Sequence, residues 1–289
     1  MRNKHFILED GRGLAYAEYG PEAGFPILYC HGSQSSRFEM HYDWSFAEKH
    51  DLRIINIDRP GHGESDYNKK GSIESFAADV DQLIHSLAIK EYAVLGMSAG
   101  APFAMGISKY LDHKPESLGI VSGFAPFETE NQKALSKEVR LLLNIAKRYP
   151  FVLNFMLKIQ HWQLKRNTPK ALRNFLKIMS SSDQKVLESE AVMEVIENMF
   201  KEAFKHGSRG VAHEISKILV QDWGFDLGDI EVPTFIWHGA EDNNVPLVWA
   251  KNNYAQIENS HLKVFHNEGH LIIFKNAEEI FTSLKLVKH

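Results

Sequence analysis

Residues 93–106 read AVLGMSAGAPFAMG, an apolar run that closes on a serine with glycine two positions to either side and continues in small residues. Residues 92–95 have the length and apolarity of a buried strand, and residues 102–111 read as a helix with proline in its first turn. Ser98 falls on the turn between them. A plain glycine-rich connection explains this pattern as well as a strained turn does. In the second reading the hydroxyl is pushed above a sheet edge, and Gly96 and Gly100 stand where side chains would collide. The rest of the chain decides.

A serine hydroxyl is a weak nucleophile at neutral pH; it needs a general base, and the base needs a group to orient it. Two other apolar runs end in residues of those types. TFIW is followed by HGAEDNNVP, which carries Asp242, and HLKVF by HNEGH, which carries His270. Negative charge developing on a carbonyl oxygen needs backbone donors. The N–H of Ala99, at a helix start, is one candidate, and that of Ser33, where YCHGSQSSR turns after an apolar segment, is the other. A structural turn explains any one of these pieces. Four of them on strand-end loops, in the order Ser98, Asp242, His270, argue for acyl transfer through a serine.

The elements that must position these residues are visible in the pattern. HFIL, GLAYAEYG and FPILYCHG open the chain as strands separated by turn formers. LRIINID and YAVLGM are fully apolar and each leads into a helical pattern, the signature of parallel strands buried on both faces. SLGIVSG, TFIWHG and HLKVFH complete the series. Between residues 123 and 234 the strand signal lapses and helical spacing takes over. Val139, Leu143 and Ala146 recur at four and three, and Val152, Phe155, Ile159 and Trp162 at three, four and three. These stripes are expected to face inward, with Leu143 and Phe155 shaping a pocket for the substrate.

Composition narrows the function. With 44% hydrophobic and 24% charged residues the chain can build a large soluble core. A net charge of −4 gives no reason to expect nucleic acid as a partner. One region runs against the average: residues 127–177 hold eleven Lys/Arg against three Asp/Glu, read most simply as the solvated face of helices. Cys30 is the single cysteine, which excludes an internal disulfide and fits a reducing compartment. The fifteen histidines show no HExxH spacing, so no metal is expected. MRNKHFILEDGRG lacks a signal-peptide core, and no apolar run approaches the roughly 18 residues of a spanning helix. The expectation is a cytoplasmic protein with no stable membrane insertion.

The segments HGSQSSR, DRPGHGESD, GMSAG, WGFDLGDIEVPTFIWHGAEDNNVP and EGH together resemble the α/β-hydrolase family over nearly the whole chain. The chain is most similar to a bacterial group that reads near HG-T-P-G-S-R in the first loop, with Gln34 and Ser35 here in place of that proline and glycine. The resemblance implies an α/β fold with an eight-stranded, mostly parallel sheet flanked by helices and a helical cap inserted after the sixth strand. Residues 1–126 and 222–289 would form the core and 127–221 the cap. The order serine, aspartate, histidine is the one this fold uses. The resemblance further implies a carboxylic-ester hydrolase with catalytic Ser98, Asp242 and His270, an oxyanion hole at Ser33 and Ala99, no cofactor and no metal. Its partner would be a small-molecule substrate with an apolar acyl or alcohol group.

Nearby residues have plainer readings. His31 and His62 sit beside turn glycines and fix turns, Cys30 is inert packing, Glu241 projects away from the site, and Asp222 caps a turn or is solvated at the surface. Two rival readings of the whole chain stay open at this level. One is a ligand-binding or signalling protein of the same fold with little turnover; the other is a peripheral lipase that uses the basic helices.

Overall fold

The computed structural model describes residues 1–39 and 43–285. Its strands are β1 Arg2–Ile7, β2 Gly13–Tyr19, β3 Phe25–Cys30, β4 Leu52–Ile57, β5 Ala93–Met97, β6 Ser117–Val121, β7 Thr234–Gly239 and β8 Ser260–Phe265. They form one sheet in the order β1-β2-β4-β3-β5-β6-β7-β8. The β1/β2 and β2/β4 pairs are antiparallel and every other pair is parallel. All eight apolar segments of the sequence are strands. β2 and β3, consecutive in the chain, are not neighbours, because β4 pairs with both.

Burial follows strand position. β4 and β5, inside the sheet, are buried at every residue, as strands covered on both faces must be. β1 and β8, at the edges, alternate between exposed and partly buried residues. The covering helices are α1 Ser45–Lys49, α2 Ile73–Ser86 and α3 Ala101–Tyr110, and at the end of the chain α11 Leu247–Gln256 and α12 Ile273–Lys285. Pro102 stands in the first turn of α3, where its missing N–H has no helical partner to lose.

Between β6 and β7 the chain runs through seven helices: α4 Thr129–Lys133, α5 Lys137–Arg148, α6 Pro150–Arg166, α7 Thr168–Leu176, α8 Ser181–Val186, α9 Glu190–Ala203 and α10 Arg209–His213. A π-helical turn, Glu214–Leu219, continues α10. On α5 the expected stripe holds, with Leu143 and Ala146 buried. On α6 it is reversed: Leu153, Leu157 and Leu164 are buried while Phe155, Ile159 and Trp162 face solvent. This helix is apolar on two opposite sides, so periodicity alone selects the wrong one.

The insert is tied to the sheet by buried charge. Arg59, in the loop after β4, meets Glu214 through two bonds of 2.6 and 3.0 Å. Arg37 contacts both Asp58 of that loop and Glu202 of the insert. Both arginine side chains are almost fully buried, so each is held by hydrogen bonds that replace lost water.

Candidate active site

β5 ends at Met97, and the chain enters a tight 3₁₀ turn, Ser98–Gly100, before α3. Ser98 takes a left-handed backbone, φ +53°, a conformation that costs a non-glycine residue roughly 1–3 kcal/mol. The turn is possible because its glycines lack side chains. A Cβ on Gly96 would lie 2.6 Å from the Ala101 Cα, and one on Gly100 would lie 2.0 Å from the Cys30 carbonyl oxygen. Ser98 is 8% exposed, and Ala99 directly after it is buried.

Asp242 and His270 lie on the loops after β7 and β8, at the same carboxyl edge of the sheet as Ser98. Asp242 Oδ1 accepts the backbone N–H groups of Asn244 and Val245, each at 2.8 Å. Its Oδ2 accepts from His270 Nδ1 at 2.7 Å. The proton is thereby placed on Nδ1, which leaves the Nε2 lone pair free. Burial works to lower the His270 pKa, but the Asp242 carboxylate outweighs it and, with Asp183 and Glu39 contributing, holds the ring above the ordinary histidine value.

His238 is the other imidazole near Asp242, 3.5 Å from Oδ2, but its Nε2–H donates to the Val245 carbonyl at 2.8 Å. Burial pushes its pKa down, so it stays neutral. Glu241 is exposed, as is Asp222, whose Oδ1 accepts the Gly224 N–H at 2.8 Å in a turn.

The loop after β3 supplies the next wall. Glu39 is buried and accepts the Gly32 N–H with both oxygens at 2.9 and 3.0 Å, and the Tyr29 hydroxyl at 2.8 Å. Ser33, next in the loop, lines the cavity. Arg59 fixes the loop from behind through the carbonyls of His31 and Gly32. His31 Nε2 accepts the Arg59 N–H at 3.3 Å, its ring packs against His62, and neither histidine lines the cavity. Gln34 is left-handed, φ +55°, a conformation closed to proline, and its Oε1 accepts from Gln160 of α6 at 2.7 Å. The loop therefore follows a path that a proline at this position could not take.

Ser98, His270, Ser33, Gln34, Glu39 and Met97 line one cavity of about 240 Å³. Its remaining walls are largely apolar and come mostly from the insert: Leu143, Met179, Ile196, Met199, Phe200 and Leu219. Phe155 is not among them and is 63% exposed, contrary to the expectation from its spacing. Cys30 is fully buried, and burial pushes its thiol up to about 12.

Asp183 is the residue that sequence reasoning passed over. It belongs to α8, where SSSDQ reads as a helix start with Ser180 as cap, and Ser180 Oγ does accept the Asp183 N–H. Its carboxylate also reaches the sheet edge. Oδ2 accepts the backbone N–H of His270 at 2.9 Å and Oδ1 that of Leu271 at 2.8 Å. A Cβ at Gly269 would lie 2.2 Å from the same Oδ2, so only glycine permits this approach. Among the described residues no cluster of three or more His, Cys, Asp or Glu side chains has a metal-binding arrangement.

A family model described as the alpha/beta hydrolase fold matches residues 25–277. The chain belongs to that family. It is 26% identical over 264 residues to the AB hydrolase superfamily protein YisY of Bacillus subtilis, with 89% of each chain covered. It is 24% identical over 279 residues to the bifunctional esterase/perhydrolase DCH of Acinetobacter calcoaceticus, with 94% of each covered. Among solved structures, the esterase EaEST from Exiguobacterium antarcticum superposes with a TM-score of 0.72 at 21% identity, covering 99% of this chain and 98% of the other.

Proposed function

We propose that the protein hydrolyses carboxylic esters through an acyl-enzyme on Ser98. The observation that carries the reading is that His270, which lines one cavity together with Ser98, is bonded at 2.7 Å to the buried Asp242. The names of two relatives, an esterase/perhydrolase and an esterase, agree with it.

In the first half-reaction His270 Nε2 takes the Ser98 hydroxyl proton as Oγ adds to the ester carbonyl carbon. The N–H groups of Ser33 and Ala99 stabilise the tetrahedral oxyanion. Nε2 then returns the proton to the departing alcohol, leaving the acyl group on Ser98. A water molecule, deprotonated by the same nitrogen, adds to the acyl carbon, and the carboxylic acid leaves as Oγ recovers its proton. Asp242 holds the tautomer throughout and stabilises the imidazolium that forms twice per cycle.

Residues 127–221 act as a cap in this reading. Their apolar side chains give the cavity its preference for an aliphatic or aromatic acyl or alcohol group of modest size. The lone, buried cysteine suits a cytoplasmic site of action.

Turnover of nitrophenyl esters of graded length, by wild type and Ser98→Ala, tests the proposal together with fluorophosphonate labelling. One adduct on the wild type, none on the variant, and loss of turnover in the variant are expected. A protein that binds esters and neither labels nor turns over belongs to the ligand-binding class, and the proposal fails.

A further inference from the structure

Helix α6 presents two apolar faces. Leu153, Leu157 and Leu164 are buried within the insert, but on the opposite side Phe151, Phe155, Ile159 and Trp162 are 72%, 63%, 42% and 58% exposed. At about 100° per residue these four fall in one stripe, bordered by Lys158 and Lys165, with Arg166 among them. The charge around the stripe is one-sided. From residue 150 to residue 177 there are six Lys/Arg and no Asp/Glu, in a protein whose net charge is −4. Where α6 meets α7, an open groove of about 440 Å³ is lined by Trp162, Arg166 and Lys170. Arg166 stands over the Trp162 ring at 5.3 Å.

An exposed row of two phenylalanines, an isoleucine and a tryptophan is unfavourable in water, and a soluble monomer rarely keeps one without a partner. We propose that this face of α6, with the start of α7, seats on the surface of a bilayer containing anionic lipid. The aromatic stripe enters the boundary between headgroups and acyl chains. Lys158, Lys165, Arg166 and Lys170 extend their charged ends among the phosphates. Charge decides against a second copy as occupant. A two-fold contact would set this cationic face against itself, with no carboxylate in residues 150–177 to offset it.

Helix α5, packed beside α6, carries Leu142 at the exposed rim of the cavity. Gln160, which bonds Gln34 in the Ser33 loop, stands on the side of α6 that holds Leu157 and Leu164, so the docked face is the side turned away from that loop. Docking of this face does not depend on ester hydrolysis, and vesicle binding is measured without turnover.

Co-sedimentation of the full chain with phosphatidylcholine vesicles, with and without a third of phosphatidylserine, at low and high salt, decides it. Binding is expected only with phosphatidylserine and only at low salt, with a blue shift of tryptophan emission that is lost in Trp162→Phe. Lys158→Gln and Lys165→Gln should each weaken binding roughly fivefold, and Phe155→Ser with Trp162→Ser should abolish it while the thermal midpoint is kept. Equal sedimentation with both vesicle types, or none with either, overturns the inference. So does a dimer in sedimentation velocity that Phe155→Ser dissociates, or binding to a single-stranded polyanion that the vesicles cannot displace.

Discussion

Asp183, on a helix of the insert, takes the backbone N–H of His270 at 2.9 Å, and the chain between β8 and α12 is thereby held from outside the sheet. The same carboxylate takes the Leu271 N–H, so one side chain fixes the direction in which the imidazole leaves the main chain. Asp183→Ala should leave two buried N–H groups without an acceptor, each costing roughly 1–3 kcal/mol. A drop in thermal midpoint together with a fall in kcat at nearly constant KM is the expected result. An unchanged kcat in a destabilised variant would make Asp183 purely structural.

Asp242→Asn should reduce turnover by about 10⁴ with the fold intact, since an amide no longer selects the Nδ1–H tautomer. Glu241→Gln, altering an exposed carboxylate one residue away, should keep most of the activity. Steady-state rates on one nitrophenyl ester compare the two. More than about a tenth of wild-type turnover in Asp242→Asn would remove that residue from the mechanism.

In the proposed mechanism the pH profile is set by His270. Its pKa lies above the ordinary histidine value of about 6.5. The imidazole must be neutral to accept the Ser98 proton, so kcat/KM should fall on the acid side with a midpoint above that value. Stability runs the other way. A group whose pKa is raised by folding stabilises the native state most below its unfolded pKa, and that contribution disappears as pH rises through the folded one. In Asp242→Asn the opposing carboxylate is gone while burial remains, so the residual activity should have its acid limb shifted to lower pH.

Leu143 and Phe155 separate the two faces of the insert. Leu143 lines the cavity, so Leu143→Ala should widen it and move the optimum toward longer or bulkier acyl groups. Phe155→Ala alters an exposed residue and should leave the chain-length profile where it was. A nitrophenyl ester series from acetate to decanoate measures both. Parallel shifts in the two variants would contradict the placement of Leu143 on the cavity wall.

The strands were legible because a buried parallel strand has little choice of composition, as β4 and β5 illustrate, and because the loops after them start with glycine and polar residues. The same logic singled out Ser98, directly after β5, and Asp242 and His270, on the loops that follow β7 and β8. Faces of helices were less legible. On α6 both sides are apolar, and burial was decided by which side the rest of the insert covered, a tertiary fact with no local signature. Asp183 was hidden for a related reason: its local role, at the start of α8, is complete without His270. Gln34 was visible as a departure from the resembling pattern, but its left-handed backbone and its bond to Gln160 depend on a helix more than a hundred residues away.

Two buried carboxylates of the insert, Asp183 and Glu214, each end on a loop of the sheet, one behind His270 and the other behind Arg59 and the Gly32 turn. The insert is therefore not an exchangeable module. A chimera that received residues 127–221 from a relative lacking these two acids would inherit a new pocket lining, and with it an orphaned arginine and two loops without their clamps. Recombination between family members is constrained at this junction more by two side chains than by the length or helicity of the transplanted segment.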